Sequence, residues 1–144
     1  MKILENIIGQ PRVVTTLEKA IQTSRNPESN TQEMTHAWLF IGPPGSGKST
    51  AIKAFATALI CSRFGCTECI DCQTSMNDVH LDIEKFKAEG LSIKVDEIRE
   101  LVARSMFSPA RGSRKIIIIN NIEQYKDRLI LNKMAQSAKM MLPQ

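Results

Sequence analysis

The octapeptide Gly42-Pro43-Pro44-Gly45-Ser46-Gly47-Lys48-Ser49 satisfies the pattern G-x-x-x-x-G-K-[ST] in full. Its residue types suit a polyphosphate. Gly45 and Gly47 permit backbone conformations in which successive N–H groups point inward at phosphate oxygens. Lys48 adds a cation that reaches the β- and γ-phosphates, Ser49 offers a hydroxyl to Mg²⁺, and Thr50 reaches toward the α-phosphate. The helix expected to follow aims its positive end at the same anion. Hydrolysis uses other groups, so this loop speaks only for binding.

A second cluster follows at once. Cys61, Cys66, Cys69 and Cys72 are the only cysteines and follow C-x4-C-x2-C-x2-C. The two-residue gaps let turns present thiolates to one tetrahedral Zn²⁺. Disulfides or inert buried thiols are the alternatives. A cytosolic setting argues against the first, and the tight clustering argues against the second. With four sulfur ligands the site is structural and leaves no position for water. His80 stands nearby and is read as a surface or supporting residue rather than a competing ligand.

The third stretch is Ile116-Ile117-Ile118-Ile119-Asn120-Asn121. An isoleucine strand beside a phosphate loop is expected to end in an aspartate that holds Mg²⁺ and a glutamate that activates water. Asparagine can ligate a metal through its carbonyl, but it brings no negative charge and accepts no proton at neutral pH. Glu123 comes two positions too late. Efficient hydrolysis is therefore not expected.

Periodicity supplies the elements that must position these groups. Val13, Val14, Leu17, Ala20 and Ile21 recur at helical spacing behind Pro11, a good first-turn residue. Residues Gln22 to Thr35 read as a surface loop. Ala37 to Ile41 reads as a buried strand, Ala51 to Ile60 as a helix beginning near Lys48, and Leu81 to Phe86 as a second strand. Ile98, Leu101, Val102, Ser105 and Met106 line one face of a helix from Val95 that Asp96 or Ser92 would cap. Ser108-Pro109 and Arg111-Gly112-Ser113 are breaks, and Lys115 to Ile119 is a central strand covered on both faces. Alternating strands and helices predict an α/β fold with a mainly parallel sheet. Tyr125 to Met141 has helical composition without one apolar stripe.

At 144 residues the chain fits one domain. No apolar run approaches the roughly 18 residues of a membrane span, and Met1 to Gln10 lacks a signal peptide's apolar core. A cytoplasmic protein is expected. The formal charge of +4 falls to about +2 if four thiolates hold one Zn²⁺. The basic residues are scattered apart from Arg111 to Lys115, which reads as a solvated surface more readily than as a DNA contact.

Taken together, Ile7–Gln10 (IIGQ), His36–Thr50 (HAWLFIGPPGSGKST), the cysteine cluster and Gly90–Val102 (GLSIKVDEIRELV) resemble the clamp-loader subunits of bacterial DNA polymerase III. The wording of THAWLF and EGLSIKVDEIREL resembles the delta-prime subunit more than its gamma/tau relatives. The likeness runs from about residue 4 to 121. It implies a P-loop NTPase fold of AAA+ (RecA-like) type, a parallel sheet flanked by helices with a zinc module inserted at about residues 61–72. It also implies a stator-like subunit that helps load a sliding clamp onto primed DNA, with gamma/tau and delta subunits as partners and no membrane. By the same resemblance Ile7, Ile8 and Gly9 would lie beside an adenine. Gly42, Gly45, Ser46, Gly47, Lys48, Ser49 and Thr50 would surround the phosphates of ATP with Mg²⁺, and Cys61, Cys66, Cys69 and Cys72 would hold structural Zn²⁺.

Residues 1–124 are thus expected to be the N-terminal part of the nucleotide-binding domain, and 125–144 a divergent tail without the arginine element, lid and collar. Neither polymerisation nor efficient ATP hydrolysis is expected of this chain. The alternatives are an active gamma/tau-like ATPase and a fragment without function. A small-molecule kinase of P-loop type finds no support, because no basic lid is visible.

Overall fold

A computed structural model describes residues 1–26, 37–87, 90, 94–111 and 114–120. A 3-10 turn, Lys2–Asn6, leads into helix α1 (Pro11–Thr23). Helix α2 (Lys48–Ile60), the short α3 (Ile70–Met76), strand β1 (Ile83–Phe86), helix α4 (Val95–Ser105) and strand β2 (Ile116–Ile119) follow. β1 and β2 pair in parallel, with Ile83 opposite Ile116 and Phe86 opposite Ile119. A parallel pair needs a crossover, and α4 supplies it.

Period 3.6 explains α1. Proline at its first position costs no hydrogen bond, and Leu17, Ala20 and Ile21 are buried. They join Ile3, Leu4, Ala54, Phe55, Ala58 and Leu59 in the larger core, on which Val13, Val14 and Ile116 also pack. The smaller core sets Ile98 and Leu101 of α4 against Phe86, with Ile117 and Ile119 beside them. Successive strand residues point to opposite faces, so β2 touches both cores. The sheet has two strands among the described residues, which makes β2 an edge rather than the central strand expected. Only Ile118 of its four isoleucines is buried.

Three expectations need correction. Ala37 to Ile41 forms no ladder among the described residues. Trp38 and Phe40 turn onto the larger core, and Trp38 meets the Phe55 ring edge-on with centroids 5.1 Å apart. Leu39 and Ile41 stay exposed. Side-chain packing fixes this stretch on one face, while its backbone pairs with no strand among the described residues. Second, α4 is not capped by Asp96. Asp96 lies within the first turn, Lys94 is the N-cap, and its N–H donates to Glu97 Oε2 at 2.7 Å; Ser92 lies outside the described residues. Third, β1 starts at Ile83 because a turn precedes it, in which Ile83 N–H bonds His80 O and Leu81 is exposed.

The expected tail over 125–144 and most of the 22–35 loop lie outside the described residues. Among the described residues no helix is long and apolar enough to cross a membrane.

Candidate phosphate loop and metal centre

The turn between Ile41 and α2 is set by its glycines. Gly45 and Gly47 have φ of 77° and 86°, a region costly for other residues, and Gly47 is the N-cap of α2. Ser46 N–H bonds Pro43 O at 3.2 Å, closing the turn. The Lys48 ammonium folds across it onto Gly42 O and lies 3.3 Å from Pro43 O. Ser46 Oγ is buried without a hydrogen-bond partner. Left-handed glycines, a lysine spanning the turn and an unsatisfied buried hydroxyl together fit an anion cradle at a helix start.

Beside the cradle lies a cavity of about 230 Å³ lined by Ser49, Thr50, Ile52, Lys53, Lys85, Ile118 and Asn120. Chain order alone could not bring Asn120 to Ser49; the end of β2 does so. Lys53 and Lys85 were not foreseen here. Both ammonium groups meet one carboxylate, Asp78, at 3.1 and 2.8 Å. Lys85 and then Lys53 hold that carboxyl below its usual range. Ile7, Ile8 and Gly9 stand apart from this arrangement in their bonding. Ile7 packs on the larger core, Ile8 is exposed, and among the described residues no hydrogen bond joins the three to the loop.

The four cysteines do converge. Their sulfurs all lie within 4.8 Å of one another. Cys61 Sγ is 3.7 Å from Cys66 Sγ and 3.6 Å from Cys69 Sγ, and Cys66 Sγ is 3.9 Å from Cys72 Sγ. Tetrahedral bonds of about 2.3 Å put sulfurs roughly 3.8 Å apart, so this spacing suits one Zn²⁺. The local chain is bent to achieve it. Phe64, Gly65 and Thr67 have φ of 59°, 83° and 69°, and Thr67 is a β-branched residue in a region it rarely adopts.

These turns aim backbone N–H groups at sulfur: Arg63 at Cys61 (3.3 Å), Cys69 at Cys66 (3.4 Å) and Cys72 at Cys69 (3.4 Å). The N–H groups of Glu68 and Cys69 bring the Cys66 thiol down to about 6. Burial raises the Cys61 thiol, but N–H groups of Cys66, Gly65 and Arg63 outweigh it and the net shift is downward. Burial pushes Cys69 and Cys72 up.

His80 is neither a surface residue nor near enough to the sulfurs to be counted with them. It is buried, its Nδ1 accepts from Asp82 N–H at 3.0 Å, and its Nε2 therefore carries the proton facing Asp71 Oδ1 at 3.4 Å. Asp71, between Cys69 and Cys72 in the chain, also accepts from Arg111 Nε at 2.7 Å. Its carboxyl is lowered first by Arg111 and then by His80. Asp82 is 1% exposed and accepts from the N–H groups of Ala110 (2.5 Å) and Arg111 (2.9 Å).

The basic patch is only partly solvated: Arg111 is half exposed, whereas Arg114 and Lys115 are engaged within the chain. Arg114 Nη2 donates to Ser24 O at 3.1 Å and Lys115 Nζ to Arg104 O at 3.0 Å. Burial, and then the charge of Arg25, lower the Arg114 pKa. Arg25 itself donates to Leu59 O and Cys61 O at the end of α2, where a cation complements the helix dipole. Gly112 and Ser113 lie outside the described residues.

The fold and these two clusters define a small parallel α/β module with a glycine-rich turn opening a helix and a compact four-thiol centre. The chain belongs to the family described as DNA polymerase III, delta subunit, whose model matches residues 9–130. It is 31% identical over 122 residues to DNA polymerase III subunit tau of Bacillus subtilis, covering 82% of this chain and 20% of that protein. It is 30% identical over 118 residues to subunit delta' of the same organism, covering 80% and 33%. Against subunit delta' of Pseudomonas aeruginosa it is 34% identical over 95 residues, covering 61% and 29%. The chain thus spans a third or less of these relatives' length.

Proposed function

We propose that the chain works in bacterial DNA replication as a delta-prime-like clamp-loader module, a stator that binds nucleotide and leaves hydrolysis to its partners. The observation that carries this reading is Asn120. It lines one cavity with Ser49 and Thr50, where a hydrolysing site needs a carboxylate for metal and for water. Its partners are then gamma/tau and delta subunits, with the sliding clamp and primed DNA reached through the complex, in the cytoplasm. The cysteine centre holds structural Zn²⁺, and the glycine turn holds the phosphates of ATP.

Membership in the family supports the replication role. The four-sulfur spacing supports zinc, and the left-handed Gly45 and Gly47 support the phosphates. A second reading, a gamma/tau-like ATPase, draws on the complete Gly42–Ser49 pattern and on the relative named tau. ATP turnover separates the two. The stator reading expects none above background in the wild type, together with co-purification of this chain with gamma/tau and delta subunits. Steady turnover that Lys48→Ala abolishes would instead establish the ATPase.

A further inference from the structure

We propose that this phosphate site takes nucleoside polyphosphate without a divalent cation, the ammonium groups of Lys53 and Lys85 neutralising the charge that Mg²⁺ would otherwise carry. The inference rests on the nucleotide-binding reading above and extends it to the form of the ligand.

The cavity next to the glycine turn is lined by Ser49, Thr50 and Lys53 of α2, by Lys85 of β1, and by Ile118 and Asn120 at the end of β2. Among the described residues, none that lines the cavity is a carboxylate. Mg²⁺ in a nucleotide site is held by one or two carboxylates together with phosphate oxygens, and it gives up its waters reluctantly. Asn120 supplies a carbonyl but no charge, and two cations share the wall with Ser49, whose hydroxyl would be the protein's metal ligand. A divalent cation placed there meets repulsion from two ammonium groups and finds only neutral donors, the Ser49 hydroxyl and the Asn120 carbonyl. The described residues of the cavity do not fit Mg²⁺.

The same residues fit a polyanion. Lys53 from α2 and Lys85 from β1 approach the two oxygens of one carboxylate, Asp78 Oδ2 at 3.1 Å and Oδ1 at 2.8 Å. The three side chains carry one net positive charge, and Asp78 holds both ammonium groups at the edge of the cavity. Lys48 adds a further cation at the turn. Lysine binds phosphate as a compact, mobile point charge, so both side chains can swing from Asp78 to phosphate oxygens.

ATP binding by calorimetry tests this, with the zinc-loaded 144-residue chain in buffer passed over a chelating resin, and again with millimolar Mg²⁺. The wild type is expected to bind ATP at least as tightly without Mg²⁺ as with it. Lys53→Ala and Lys85→Ala should each weaken Mg²⁺-free binding by about tenfold, the scale of one charge-assisted hydrogen bond. Asn120→Asp should weaken Mg²⁺-free binding and make Mg²⁺ strengthen it. Wild-type binding that Mg²⁺ strengthens tenfold or more would overturn the proposal and leave the nucleotide site standing. Absence of ATP binding under both conditions would remove the nucleotide reading itself, and this proposal with it.

Discussion

Arg111 Nε donates to Asp71 Oδ1 across 2.7 Å, and this contact links the cysteine centre to the segment that enters β2. Asp71 sits between two of the clustered cysteines, whereas Arg111 precedes the strand by only a few residues. Half of the Arg111 side chain is exposed, so solvent screens the pair. A double-mutant cycle with Asp71→Ala and Arg111→Ala, read by urea denaturation of zinc-loaded protein, should give a coupling of about 0.5–1 kcal/mol. A coupling of zero would mean the contact transmits nothing.

Asp82 is a different case, because its carboxylate is buried. Removing it takes away the acceptor of the Ala110 and Arg111 N–H groups. Asp82→Ala should lower stability by about 1–3 kcal/mol, and Asp82→Asn by less because one oxygen remains to accept. Urea midpoints at equal slope measure both. A loss below about 1 kcal/mol for the alanine variant would show that the loop relaxes to other partners.

Gly65 is fixed by two constraints at once. Its φ is +83°, and a Cβ there would collide with Ile3 Cγ2 and approach Ile3 Cβ to 3.0 Å. Its carbonyl also accepts from Ile3 N–H at 3.1 Å. Gly65→Ala should cost roughly 1–3 kcal/mol and loosen the N-terminal turn, seen as faster amide exchange at Ile3 and Leu4. Unchanged exchange at both amides would refute the constraint.

The cysteine centre predicts one equivalent of zinc per chain by elemental analysis. Cys61→Ser or Cys72→Ser should lose most of it and lower the thermal midpoint, because structural zinc contributes folding energy directly. A strong chelator should produce the same shift in the wild type and little further change in the variants. Wild-type protein purified without chelator yet lacking zinc would defeat the assignment.

Asp78 sets a pH dependence. Its two lysine partners depress the folded-state pKa below the ordinary 3.8, so its stabilising contribution is complete above that value. It is lost as pH falls through the folded-state pKa. The side chain is 45% exposed, which limits the contribution to less than about 1 kcal/mol. The stability gap between wild type and Asp78→Asn should close as pH drops from 5 toward 2, and a gap that widens would reverse the sign.

Local spacing made the clusters legible, because a G-x-x-x-x-G-K-S turn and closely spaced cysteines carry their geometry within a few residues. The faces of α1 and α4 were legible for the same reason. Interactions set by distant chain were not. Ala37 to Ile41 has the composition of a strand, but a ladder depends on a neighbour that composition does not specify. Asp82 alternates with apolar residues as a solvent-facing position would, yet Ala110 and Arg111 enclose it from far along the sequence. His80 and Asp82 flanking Leu81 just before a strand were the available signal of that enclosure. Arg111, Arg114 and Lys115 read as a charge patch until Asp71 and the carbonyls of Ser24 and Arg104 claimed them.

The separation between Ile83 and its ladder partner Ile116 bears on the order of assembly. The cysteine loop closes over a short span, at small entropic cost, whereas the β1–β2 ladder must wait for α4 and both flanking turns. Contacts of long sequence separation form slowly. The sulfur cluster and α2 are therefore the early structure, and β2, with Asn120 at its end, docks late onto a surface already made.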